Sequence, residues 1–170
     1  MIVEVMAEFE PLVRGLVATL PGRIVNRVSS IREGENIGNG HTDPDGNIDI
    51  GFTQNPVFDV ELLAHEIGHA ADAELHFLPL SNGKINPCER ANIFASYAVY
   101  GESLSDFSSL INKNNYLRMR IKLGKRSLEE LEPLYKLIRD YSSSHRNPEI
   151  RWPEQHHLYL ENVPFEIVLK

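Results

Sequence analysis

LLAHEIGHAAD, residues 62–72, sets two histidines four positions apart, with a glutamate directly after the first and small or apolar residues around them. On an α-helix residues four apart share one face about a turn apart, so His65 and His69 can aim their rings at one point. That geometry suits a single zinc ion, which takes neutral imidazole nitrogens readily. Glu66 then stands beside the metal, where it can hold and deprotonate a water. The plainer alternative is a buried helix with two satisfied histidines. Leu62, Leu63, Ala64, Ile67 and Ala70 mark the helix as interior, and there two imidazoles and a carboxylate are costly unless paired or bound to metal. Gly68 costs a helix about 1 kcal/mol relative to Ala, which implies close approach by another backbone. Asp72, one turn past His69, is placed either to orient a ligand ring or simply as an acidic residue near a helix end.

The chain around this helix has 170 residues, 42% hydrophobic and 24% charged, which is the composition of one ordinary globular domain with a real core. We read a single domain over residues 1–170, with an N-lobe over about 1–78 and a C-lobe over about 79–170. A net charge of −7 argues against nucleic acid or an anionic membrane as the main partner, because those surfaces reward clustered Lys and Arg. The one basic cluster, RMRIKLGKR at 118–126, reads as a solvated turn. The single cysteine, Cys88, rules out an internal disulfide and an all-cysteine zinc site, so a metal is expected to use His and carboxylates. The N-terminus carries Glu4, Glu8 and Glu10 and lacks the pattern of a secretory signal, and nothing later reads as a membrane span. The expected compartment is the cytoplasm.

Local patterns supply the other elements. Apolar residues at Phe9, Leu12, Val13, Leu16, Val17 and Leu20 predict an opening helix over 7–20, stopped by Pro21-Gly22. RIVNRVSSI (23–31) is β-branched and strand-like, the stretch 32–46 is turn-rich, and NIDIGF (47–52) alternates as a half-buried strand does. Asn55 caps and Pro56 opens the histidine helix, which is expected to run to about His76. Further helices are expected over 88–99, from near Gly101 to about Asn112, and over roughly 127–143 with Pro133 inside or at its first turns, and VPFEIVLK (163–170) closes as a strand. DPDGNID (43–49) hints at a calcium loop, but its glycine is fourth rather than sixth and Gln54 stands where the ligating Glu belongs, so a tight Asp-Gly turn is the better reading.

Catalytic zinc takes three protein ligands and keeps one position open. A third histidine six residues after His69 is missing, since Leu75 stands there; His76 is one residue off and Glu74 faces elsewhere. YGESLSDFSSLI (100–111) supplies Glu102 and Asp106, four apart, one able to reach zinc and the other to accept a hydrogen bond from a ligand ring. HEIGH with this later ESLSD resembles the gluzincin metallopeptidases, in which His-Glu-x-x-His on one helix is followed by Glu-x-x-Ser-Asp on the next. The resemblance implies zinc ligation by His65, His69 and Glu102, a general base at Glu66 and an outer supporting role for Asp106. Two other resemblances place the third ligand differently. ERANIFA (89–95) is similar to the Glu-x-x-Ala-Asn-x-Phe-Ala stretch of ImmA/IrrE-type metallopeptidases, with Glu89 two rather than three residues before Ala91. HEIGHAAD also resembles the histidine helix of the anthrax lethal factor type, whose nearest ligand counterpart here is Asp106-Phe107.

The sequence therefore points to an α+β, compact zincin-like domain: a small N-terminal sheet packed on the histidine helix, and a helical C-terminal half that carries Glu102. The expected activity is zinc-dependent hydrolysis of peptide bonds in a protein or peptide substrate, with Glu66 as general base. NIDIGF is expected to offer a sheet edge to an extended peptide. Tyr97, Tyr100, His145, His156 and His157 are each candidates for polarising a substrate carbonyl. The rival reading is a zinc-binding interaction module without turnover, against which the retained Glu66 weighs, because a structural site needs no base.

Overall fold

A computed structural model describes residues 1–79, 87–101 and 113–144. These residues form an α+β structure in which a four-stranded sheet lies beside six helices. In chain order the elements are β1 (Ile2–Glu4), α1 (Glu10–Thr19), α2 (Gly22–Val25), β2 (Ser30–Glu33), β3 (Gly40–Thr42) and β4 (Asn47–Ile50). They continue as α3 (Pro56–Ala70), a 3₁₀ turn (Asp72–Leu75), α4 (Pro87–Tyr100), α5 (Lys113–Leu123) and α6 (Leu128–Ser144). The sheet order is β1-β2-β4-β3, with β1, β2 and β4 parallel and β3 antiparallel to β4. No helix among the described residues is long and apolar enough to cross a membrane.

Helix α3 is the centre of the structure. Every residue from Pro56 through Gly68 is buried, as expected of a helix packed on all sides: it lies against β3 and β4, against α1 and α6, and most extensively against α4. Its start follows the capping rules, with the Asn55 side chain accepting from Phe58 N at 3.3 Å and Pro56 at the first helical position. Asp59 secures the approach by accepting from Thr53 N, Thr53 Oγ1 and Gln54 N. The close approach implied by Gly68 is present: a Cβ there would sit 2.9 Å from Ala91 Cα, so glycine is what lets α4 cross at this point. The helix stops at Ala70, short of the expected His76, and the chain tightens into the 3₁₀ turn.

Three sequence expectations are corrected. RIVNRVSSI is not one strand: Ile24 N and Val25 N bond back to Pro21 O, forming the short α2, and β2 begins only at Ser30. NIDIGF offers no edge, because β4 is paired to β2 on one side and β3 on the other. The turn at 43–47 produces that arrangement. Asp43 Oδ1 accepts from Asp45 N and Asn47 N, Gly46 takes φ +80°, and the chain folds straight back, leaving β3 outermost. This is the tight turn rather than a calcium loop. Residues 118–126 are not a solvated turn either. Tyr116 and Met119 are buried and Leu123 half-buried at helical spacing, so the stretch through Leu123 lies in α5. Arg126 is buried as well, donating to Thr19 O, Thr19 Oγ1 and Ala98 O, and so ties α1 to α4.

Helix α6 starts on a reciprocal cap. Ser127 Oγ accepts from Glu130 N, and the Glu130 carboxylate accepts from Ser127 N. Pro133 lies inside this helix as expected. The expected helix from near Gly101 to about Asn112, beyond Gly101 itself, and the closing strand at 163–170 lie outside the described residues.

Candidate metal centre

His65 and His69 project from the last turns of α3 with their Nε2 atoms 3.0 Å apart and their rings nearly perpendicular, at 83°. Such a contact is either a hydrogen bond, one ring N–H donating to the other ring's lone pair, or two lone pairs facing one cation. A third donor lies beside the two rings. Cys88 Sγ, at the start of α4, lies 3.7 Å from His69 Nε2, and the ligand atoms of His65, His69 and Cys88 all fall within 4.8 Å of one another. Zinc bonds of about 2.05 Å to nitrogen and 2.3 Å to sulfur, at tetrahedral angles, put two nitrogens about 3.3 Å apart and a nitrogen and a sulfur about 3.6 Å apart. The observed spacings sit within a few tenths of an ångström of both. The group could hold a metal ion, and it is the one such group among the described residues.

Cys88 was not among the expected ligands, which were restricted to His and carboxylates. The signal was in the sequence: Cys88 is the residue three before Ala91, the place that the ImmA/IrrE resemblance gives to glutamate. Glu89, the next residue, is not part of the converging group. Glu102 and Asp106 lie outside the described residues, as do His145, His156 and His157.

Glu66 borders the same cleft, a space of ≈ 660 Å³ whose walls include His65, His69, Cys88 and the β3 residues Gly40, His41 and Thr42. The glutamate is buried, and Thr42 Oγ1 approaches both its Oε2, at 2.6 Å, and its main-chain carbonyl, at 3.1 Å. Burial pushes the Glu66 carboxyl above the usual range, while the Thr42 hydrogen bond and then the positive potential of His41 hold it back. The cleft floor beside it is open because residue 40 is glycine: a Cβ there would lie 2.6 Å from Glu66 Oε1. Burial lowers the His69 ring and Asp72 opposes that; neutral imidazole is the form that ligates. Burial, and then the charge of Glu66, raises the Cys88 thiol, and a cation at the cluster acts in the opposite direction.

The other candidates have structural employment. Asp72 accepts from His76 Nε2 at 3.0 Å and from Arg90 at 3.5 Å rather than from a candidate ligand ring, and Glu74 pairs with Arg27. Tyr97 Oη donates to Gly124 O, and Tyr100 Oη donates to Glu61 Oε1 in the core, so neither borders the cleft. Thr42 and His41 are the polar groups that sequence reasoning missed. Both sit in a three-residue strand that contains glycine and lies inside the stretch 32–46 expected to be turn, so no periodicity announced them.

Glu61, one turn before His65, gives the core a pH dependence. Burial raises its carboxyl from the usual 4.5 to about 8, against the opposing hydrogen bond from Tyr100. Between those limits the folded chain holds a proton that the unfolded chain has released, so stability falls as pH rises and levels off above about 8. The expected contribution to the slope is at most about 1.4 kcal/mol per pH unit. Glu61→Gln keeps an acceptor for Tyr100 and removes the titration. The pH dependence of urea unfolding between pH 5 and 8 should therefore weaken in the variant without vanishing, because burial also raises Asp59 from 3.8 to about 7; an unchanged slope would show that Glu61 ionises normally.

Set against known proteins, the chain matches no family profile, no curated protein and no solved structure.

Proposed function

We propose that this chain is a zinc-dependent metallopeptidase with a zincin-like fold. The observation that carries the reading is the convergence of His65 and His69 Nε2, 3.0 Å apart, in a cleft that also holds the buried carboxylate of Glu66. His65 and His69 would be two of the metal's ligands, with the third drawn from Glu102, which the gluzincin resemblance implies, or Cys88. Bound there, zinc supplies Lewis acidity to a water and to a substrate carbonyl. Glu66 takes a proton from the attacking water and returns it to the leaving amine, held in place by the Thr42 hydroxyl at 2.6 Å. A purely structural zinc site would have four protein ligands and no use for a base.

The sheet supports a substrate class. Strand β3 is an edge strand, paired only to β4 among the described residues, and it is the edge whose residues Gly40, His41 and Thr42 line the cleft. An extended peptide added along β3 would pair main chain to main chain and pass its carbonyl groups over the histidines. This supports a peptide substrate and moves the docking edge from NIDIGF to β3.

Protein purified without added zinc is expected to carry about one zinc per chain by metal analysis. It should cleave members of a broad peptide pool, lose that activity to a chelator and regain it with zinc. A chain that holds no metal and cleaves nothing before or after zinc addition would defeat the reading.

A further inference from the structure

We infer that the third protein ligand is the Cys88 thiolate and not Glu102, which makes the centre a two-nitrogen, one-sulfur site. The inference rests on the proposed function only in needing a cation between His65 and His69. Three observations support it independently of any sequence motif. The first is distance: Cys88 Sγ stands 3.7 Å from His69 Nε2, close to the separation that a shared tetrahedral zinc imposes, and it falls within the same 4.8 Å group as the His65 donor. A weak S–H···N hydrogen bond would account for the approach to His69, but it does not require the sulfur also to lie within reach of the His65 nitrogen.

The second observation is rigidity. Helix α4 is pinned to α3 where Gly68 meets Ala91, one residue from His69 on one helix and one turn from Cys88 on the other. The ligand atoms therefore ride on two helices whose mutual position is fixed at the site itself, as a metal centre requires. The third is access. Cys88 is exposed while His65 is buried, so the sulfur closes the cluster from its open side, and among the described residues the cleft leads on to Glu66 and no fourth His, Cys, Asp or Glu joins the group. Three protein donors with an open approach is the arrangement of a catalytic rather than a structural zinc.

The test is cobalt substitution. Wild-type protein titrated with Co²⁺ is expected to develop a near-ultraviolet band from sulfur-to-cobalt charge transfer alongside the visible ligand-field bands. Cys88→Ser should lose the former and bind zinc at least about tenfold more weakly in a chelator competition. Glu102→Gln should keep the band and an affinity close to wild type. Cys88→His adds a control: it retains a donor atom, so it should hold cobalt without the charge-transfer band. Far-ultraviolet circular dichroism of each apo variant checks that α3 and α4 still form. If wild type binds cobalt through His65 and His69 with no sulfur band, and Glu102→Gln releases the metal, the inference is overturned while the metallopeptidase reading stands. If wild type binds neither cobalt nor zinc, both fall.

Discussion

Glu66→Gln is expected to leave zinc bound and the fold intact while peptide hydrolysis drops by a factor of about 10² to 10⁴, the range a positioned general base contributes. The amide keeps the size of the carboxylate and can still accept the Thr42 hydroxyl, so the side chain should stay where it is. What it loses is the ability to take a proton. The native carboxyl suits the task, because burial raises it above the usual carboxylate range while the Thr42 hydrogen bond and then His41 oppose that rise. Stability should rise or stay level, since a neutral amide replaces a buried ionisable group. The measurement is turnover on a broad peptide pool, with zinc content determined on the same samples. Equal turnover in the two proteins would remove Glu66 from the chemistry. If wild type cleaves nothing, and zinc-loaded wild type and Glu66→Gln bind one partner equally well, the chain is an interaction module that has kept the geometry of a protease.

The parts of this site that sequence reasoning reached are those encoded within one helix. Helix α3 announced itself through local rules that need no tertiary information: Asn55 as cap, Pro56 at the first turn, histidines on one face, and a glycine that forecast the crossing of α4. The residues it missed meet the site only through packing. Cys88 is 19 positions from His69, and nothing about a lone cysteine says which helix it opens or what it faces. Counting cysteines for disulfides hid the register argument that would have placed it. Strand β3 was missed because three residues, one of them glycine, carry no alternation of their own; the strand exists because the Asp43 turn folds it onto β4. Helix α5 was missed because its polar sequence hides an inward face whose only apolar members are Tyr116, Met119 and Leu123, beside the buried Asn115. In each case the deciding interaction is long-range, and composition over a local window averages it away.

His69→Ala is the other substitution with a large expected effect, and its cost should appear in binding rather than in folding. The ring is half-exposed at the end of α3, whereas His65 is 4% exposed, so truncation at 69 leaves the smaller cavity and isolates the loss of a ligand. Removing a partner that merely orients a ligand lowers metal affinity by about 10- to 100-fold, so removing the ligand itself should cost more than about 10². The consequence is measurable without any substrate. Zinc at a hundred times its dissociation constant stabilises a folded chain by about 2.7 kcal/mol. For a domain of this length that is a rise in melting temperature of about 5 to 11 °C. Wild type should show this rise, and His69→Ala should show almost none at the same zinc concentration. His65→Ala should behave alike but start from a lower melting temperature, because it also empties a buried position against the sheet. Thermal unfolding with and without zinc, paired with metal analysis after desalting, separates the two contributions. A full zinc-dependent rise in both variants would mean that the metal, if it binds, does so elsewhere, and that the 3.0 Å contact between the rings is an ordinary hydrogen bond in a buried helix.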